Sequence, residues 1–167
     1  MILNASPLII FSNLNKLHLL NKIFDKLEIS NAVYKEVVEK GISINVSGSF
    51  LVKDFVDKKL INIKNLNTES VKKVQFLTKV YAQLDPGEAE TIVLALQQEE
   101  KYLIIDERPA TKVAKLYGLK PIGSLGVLLL AFKKKLISEE EIKLLIAEMI
   151  EKKFRLNAEV INKFWIL

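Results

Sequence analysis

YLIIDERPATKVAKLYGLK (102–120) is the stretch on which the fold turns. Tyr102 to Ile105 form an apolar, β-prone run that ends abruptly at Asp106, as a short buried strand does. A helix fits around 109–117, Gly118 ends it, and a second short strand fits near 120–122. Strand, helix and strand thus follow one another within about twenty residues, a unit that belongs to parallel sheets.

Working outward, the same alternation recurs. Downstream, a helix is expected from Ser124 to Lys134, and Ser138-Glu139-Glu140-Glu141 opens another by a capping-box pattern. The tail carries a short helix at 157–165. Upstream, Asp85–Pro86–Gly87 breaks the chain before a helix at 87–98, and Thr68 to Ala82 is helical with Val71, Val74, Leu77 and Tyr81 as its stripe. Leu51 to Lys59 reads as helix and Leu60–Ile63 as strand, while 42–50 reads as a loop. At the start, Ile2–Leu3 is a strand, Ser6 suits an N-cap and Pro7 the first helical position. Two short helices follow with a break near Asn13, then a strand at Leu27–Ser30 and a helix over 32–40 that Gly41 stops. Short strands alternating with helices imply an α/β sandwich, its sheet mainly parallel and covered on both faces.

With 167 residues, 50% hydrophobic and 27% charged, the chain suits one domain over 1–167 with a sizeable core. Zero cysteines exclude thiol nucleophiles and thiolate metal sites, and the single histidine, His18, makes a multi-His site untenable. Any metal would be held by oxygen ligands, which points to Mg²⁺ or Mn²⁺. No segment reaches the ~18 apolar residues that span a bilayer, and the N-terminus lacks signal-peptide features, so the expectation is a cytoplasmic protein with no membrane partner. The formal charge of +5 is uneven: residues 1–83 carry 12 Lys/Arg against 7 Asp/Glu, whereas residues 84–167 carry 13 against 13. A basic first half attracts polyanions, although a solubilising lysine-rich surface explains the same count.

Ligands in open α/β sheets gather beyond the carboxyl ends of the strands. Asn4 follows MIL there, and Asp106 follows YLII. Glu36 lies at the edge of an apolar helical stripe, and Glu88 falls on the inward side of a strongly apolar helix, where an acid is costly unless paired or bound to a cation. Each has a plainer reading. Glu88 and Glu90 suit a helix N-terminus, Asp106 a turn, Glu107 the surface or the periphery of a site, Glu36 a solvated face, and Asn4 a cap.

The ordered set resembles the PIN-domain superfamily, in the branch related to VapC-like toxin ribonucleases. NASPLI (4–9), VYKEV (33–37), LDPGEAETIVLAL (84–96), LIIDERPATKVAKLYGL (103–119) and IGSLGVLLLAFKKKLI (122–137) carry the resemblance, in family order across nearly the whole chain. It implies a three-layer α/β/α sandwich in which acids bind Mg²⁺ or Mn²⁺ for RNA cleavage. Position by position, the metal ligands fall at Asn4, Glu36, Glu88 and Asp106, the last three being the catalytic acids. Glu88 is taken over Glu90 because of its offset to Ala95. Ser6, Glu90, Glu107, Arg108 and Ser124 fall around them as supporting or substrate-contacting residues. Asn4 departs from the pattern: where the superfamily has a first-strand acid, it offers a neutral carbonyl, although other members of the branch also carry Asn.

The resemblance implies a ribonuclease toxin with RNA and a cognate antitoxin as partners, and a homodimer or higher homo-oligomer. The patch of Phe11, Leu14 and Leu17 and the apolar end Phe164–Leu167 are surfaces for such contacts, packing on the core being the default for the tail. A PIN-like module that binds RNA or protein without catalysis is the alternative, favoured by Asn4. A small-nucleotide phosphoryl-transfer enzyme finds no P-loop.

Overall fold

In a computed structural model, residues 1–152 and Phe154 are described. Five short strands, β1 (Ile2–Leu3), β2 (Glu28–Ser30), β3 (Asn62–Lys64), β4 (Tyr102–Ile104) and β5 (Lys120–Ile122), form one sheet in the order β3-β2-β1-β4-β5, every pair parallel. The helices are α1 (Ala5–Asn13), α2 (Leu17–Ile23), α3 (Asn31–Tyr34), α4 (Gly41–Ser43), α5 (Ser47–Asp57), α6 (Thr68–Val80), α7 (Pro86–Gln97), α8 (Arg108–Leu116), α9 (Ser124–Lys133) and α10 (Glu139–Glu151). A π-helical segment, Lys35–Lys40, joins α3 to α4, so that helical backbone runs through 31–43.

Successive strand residues face opposite sides of the sheet, and each side has its own core. Ile2, Leu103 and Ile105 pack with α6, α7 and α8. Leu3, Ile29 and Ile104 pack with α1, α2, α5, α9 and α10. These two cores make the expected three-layer α/β/α sandwich. No helix among the described residues is long and apolar enough to cross a membrane.

Several local expectations change. The first helix begins at Ala5 with Asn4 at the cap position, so Ser6 is not its cap and Pro7 is its third residue. The early break is held by Asn15, whose φ of 53° is one that Asn tolerates, and Gly118 takes φ 79° after α8. Gly41 does not stop a helix: its φ is −63° and the chain continues helically to Ser43. It is glycine because a Cβ there would run into the Ser49 side chain of α5. The supposed loop at 42–50 thus contains α4 and the first turn of α5. Val71 is exposed rather than part of the α6 stripe, and Phe11, Leu14 and Leu17 are buried in the core, which removes them as a partner surface. The helix expected at 157–165 and the apolar end Phe164–Leu167 lie outside the described residues.

Candidate active site at the ends of two central strands

β1 is followed by a connection to β2 on one side, and β4 joins it on the other. The crevice between the ends of β1 and β4 is therefore the topological switch point of the sheet. The Asn4 N–H donates to the Ile104 carbonyl at 2.9 Å, extending the ladder by one residue and bringing Asn4 beside the segment that carries Asp106 and Glu107.

Asn4 is buried. Its Nδ2 donates to Glu107 Oε2 at 3.1 Å, and its Oδ1 lies 3.1 Å from the Thr91 hydroxyl. An ionised carboxylate only accepts, so the Asn4 amide must turn its N–H toward Glu107 and its carbonyl toward Thr91. The fully buried Thr91 hydroxyl also has the Gly87 carbonyl within 2.8 Å, and shares its one proton between the two oxygens. Ser6 Oγ donates to the other Glu107 oxygen, Oε1. This is why neither residue caps α1: both side chains are committed to Glu107 or to α7.

The first turn of α7 forms the second wall. Asp85 Oδ1 accepts from the Glu88 N–H at 2.7 Å, and Glu88 Oε2 accepts from the Asp85 N–H at 3.0 Å, a reciprocal capping box. Gly87 leaves room beside it: a Cβ there would stand 3.2 Å from Glu36 Oε2 and 3.3 Å from Asp85 Oδ1. Glu36 reaches this point from the π-helical segment, the kind of helical irregularity often found at functional sites. Glu90 points elsewhere, accepting the Ala32 N–H at 3.0 Å and tying α7 to the start of α3.

Asp106 is held by the start of α9. The Ser124 N–H donates to its Oδ1 at 2.7 Å and Ser124 Oγ to its Oδ2 at 2.6 Å. Arg108 is exposed in the first turn of α8 and makes no ion pair among the described residues.

The acids act on one another. Burial pushes the Glu88 carboxyl up to about 7; the Asp85 N–H bond opposes this, while the charges of Asp85, Glu107 and Glu36 add to it. Glu36 is raised by partial desolvation of its carboxylate, then by Asp85 and, against the pull of Lys40, by Glu107. Asp106 is raised by burial, against its two Ser124 bonds, and again by Glu107. Glu107 is thus the acid whose charge is felt at all three expected catalytic positions. None of the ion pairs among the described residues involves Glu36, Asp85, Glu88, Asp106 or Glu107.

In donor chemistry this set fits a hard divalent cation: oxygen atoms only, an excess of negative charge and, among the described residues, no lysine or arginine in an ion pair with it. The side chains are not gathered for it. Among the described residues no three His, Cys, Asp or Glu side chains stand close enough to share an ion. Asp106 is turned to Ser124 and Glu88 to its own cap, so these two would have to turn to share an ion.

Two features of the site lie outside the expected set. Asp85 belongs to a chain break, yet Asp85-x-x-Glu88 also has capping-box spacing. Thr91 had no local signal, because its partner lies 87 residues away.

Parallel strands sandwiched by helices, with acids at the switch point, make this an open α/β domain with its site beyond the strands' carboxyl ends. A family model described as a PIN domain matches residues 1–166, and the chain belongs to the PIN-domain family, whose members are generally nucleases and typically use divalent metals. No curated protein matches the chain.

Proposed function

We propose that this PIN domain is a Mg²⁺- or Mn²⁺-dependent endoribonuclease, the toxin component of a toxin–antitoxin pair. The observation that carries the reading is that Glu36, Glu88 and Asp106 have no ion-pair partner among the described residues, with burial pushing Glu88 up to about 7. A divalent ion bound there would supply an activated water and offset the charge that develops on the phosphate oxygens. Glu36, Glu88 and Asp106 would hold it, and Ser124 tethers Asp106 at the start of α9. Arg108, exposed and unpaired with any acid among the described residues, takes the substrate phosphate. The net charge of +5 favours approach of RNA.

The test is cleavage of structured RNAs such as tRNA with Mn²⁺. Wild type is expected to cut, and Asp106→Ala to lose the activity; intact RNA with wild type, or equal cutting by the variant, defeats the reading. Purification together with the product of the neighbouring reading frame tests the antitoxin, and light scattering tests the homo-oligomer.

One observation favours the second reading, an RNA- or protein-binding module without catalysis. The Asn4 carbonyl, which brings no charge, already accepts from Thr91, so one of its two acceptor positions is taken. RNA binding undiminished in EDTA, with no saturable Mn²⁺ uptake, is the outcome this alternative requires.

A further inference from the structure

We infer that Glu107 supplies, from the end of β4, the carboxylate that β1 lacks at Asn4, and that Asn4, Ser6 and Thr91 are positioning residues that aim it into the crevice. The proposal rests on the metal-dependent reading above for the identity of the ion. The placement of Glu107 rests on contacts alone.

β1 and β4 are neighbours in register, Leu3 opposite Ile104, so residues just past each strand emerge together. Glu107 occupies the cap position of α8, where a polar side chain ordinarily turns back onto its own helix. It makes no such bond. Its carboxylate instead reaches across to β1 and α1, where Asn4 donates to one oxygen and Ser6 to the other. A carboxylate has about four acceptor positions, so two bonds leave one on each oxygen for a cation.

Asn4 is specified by the same contacts. Its Oδ1 accepts from the buried Thr91 hydroxyl while its Nδ2 donates to Glu107, so Asn4 is braced from α7 and acts as a clamp on Glu107. An aspartate in its place would put a second negative charge about where Nδ2 now lies, 3.1 Å from Glu107 Oε2. Amide at 4 and carboxylate at 107 are therefore one complementary pair, carrying a single charge between the two strand ends. That charge also raises Glu36, Glu88 and Asp106.

The experiment is calorimetric titration of the full chain with Mn²⁺ alone, comparing wild type with Glu107→Gln, Asp106→Asn, Asn4→Asp and the exchange variant Asn4→Asp/Glu107→Gln. Glu107→Gln is expected to weaken Mn²⁺ binding by roughly 10-fold or more, since losing even a partner that only hydrogen-bonds to a metal ligand costs about 10- to 100-fold. The exchange variant returns the carboxylate to β1 and is expected to recover most of that loss. In metal-free buffer at neutral pH, Asn4→Asp is expected to lower the Tm through repulsion, and adding Glu107→Gln to restore it. Mn²⁺ binding by Glu107→Gln equal to wild type, while Asp106→Asn is weakened, overturns the role of Glu107 and leaves the metal-dependent reading intact. A lowered Tm in Glu107→Gln with unchanged Mn²⁺ affinity overturns it too, leaving a structural tie between β1 and α8. No Mn²⁺ uptake by wild type overturns both.

Discussion

Glu88 shows how this fold tolerates charge where an apolar side chain would pack more cheaply. Its carboxyl is raised to about 7 from the ordinary 4.5, so between those values the folded chain binds more protons than the unfolded one. The stability this confers is complete below about pH 4.5 and is lost as pH rises through about 7, at most ~3 kcal/mol. Thermal melts in EDTA should therefore show the Tm falling from pH 5 to pH 8. Glu88→Gln, which still accepts the Asp85 N–H, should flatten that slope and raise the Tm at pH 8. Thr91→Val is expected to act oppositely. It strands the buried Asn4 carbonyl and should cost about 1–3 kcal/mol in urea unfolding, with the loss spared by replacing Thr91 with Ser.

Among the elements, the helix over 31–43 contributes most to the site's shape. Its apolar residues Val33, Val37 and Val38 face the core, while the π-helical turn carries Glu36 to the first turn of α7. Gly41 lets α5 pack closely against its end. Gly41→Ala should force these helices apart at a cost of about 1–3 kcal/mol, the usual range for overpacking, measured by denaturant unfolding. Gly118→Ala makes a useful comparison. There the penalty comes from φ 79° alone, since nothing lies within 4 Å of the added methyl. The capping box of α7 sets the other wall, and its Asp85 both caps the helix and repels Glu36 and Glu88.

For the molecule as a whole, the sheet order 3-2-1-4-5 gathers groups from five helical segments at one crevice. Relief of their mutual repulsion is a folding term that an ion can supply. Mn²⁺ at 100 times its Kd should stabilise the chain by about 2.7 kcal/mol, a rise in Tm of roughly 5–10 °C for a chain of this size. Scanning calorimetry of wild type and Asp106→Asn with and without Mn²⁺ tests this, the variant showing the smaller shift.

The sequence by itself determined the order of the elements and the layers they form. Short apolar runs, 3.6-residue periodicity and breakers such as Asp85–Pro86–Gly87 and Gly118 act within a few residues of where they stand. The same local signals brought out Asn4, Glu36, Glu88 and Asp106 as candidates, since each sits at a strand end or on a helix edge. They misled where a residue's role is set from outside its own segment: Gly41 read as a stop, Ser6 as a cap, and Phe11, Leu14 and Leu17 as a surface. Only the tertiary structure decided which side chain Asn4 faces, because Thr91 and Glu107 lie 87 and 103 residues further along. Hydrogen bonds and Coulomb forces depend on distance in space, and that distance is set when β1 and β4 pair.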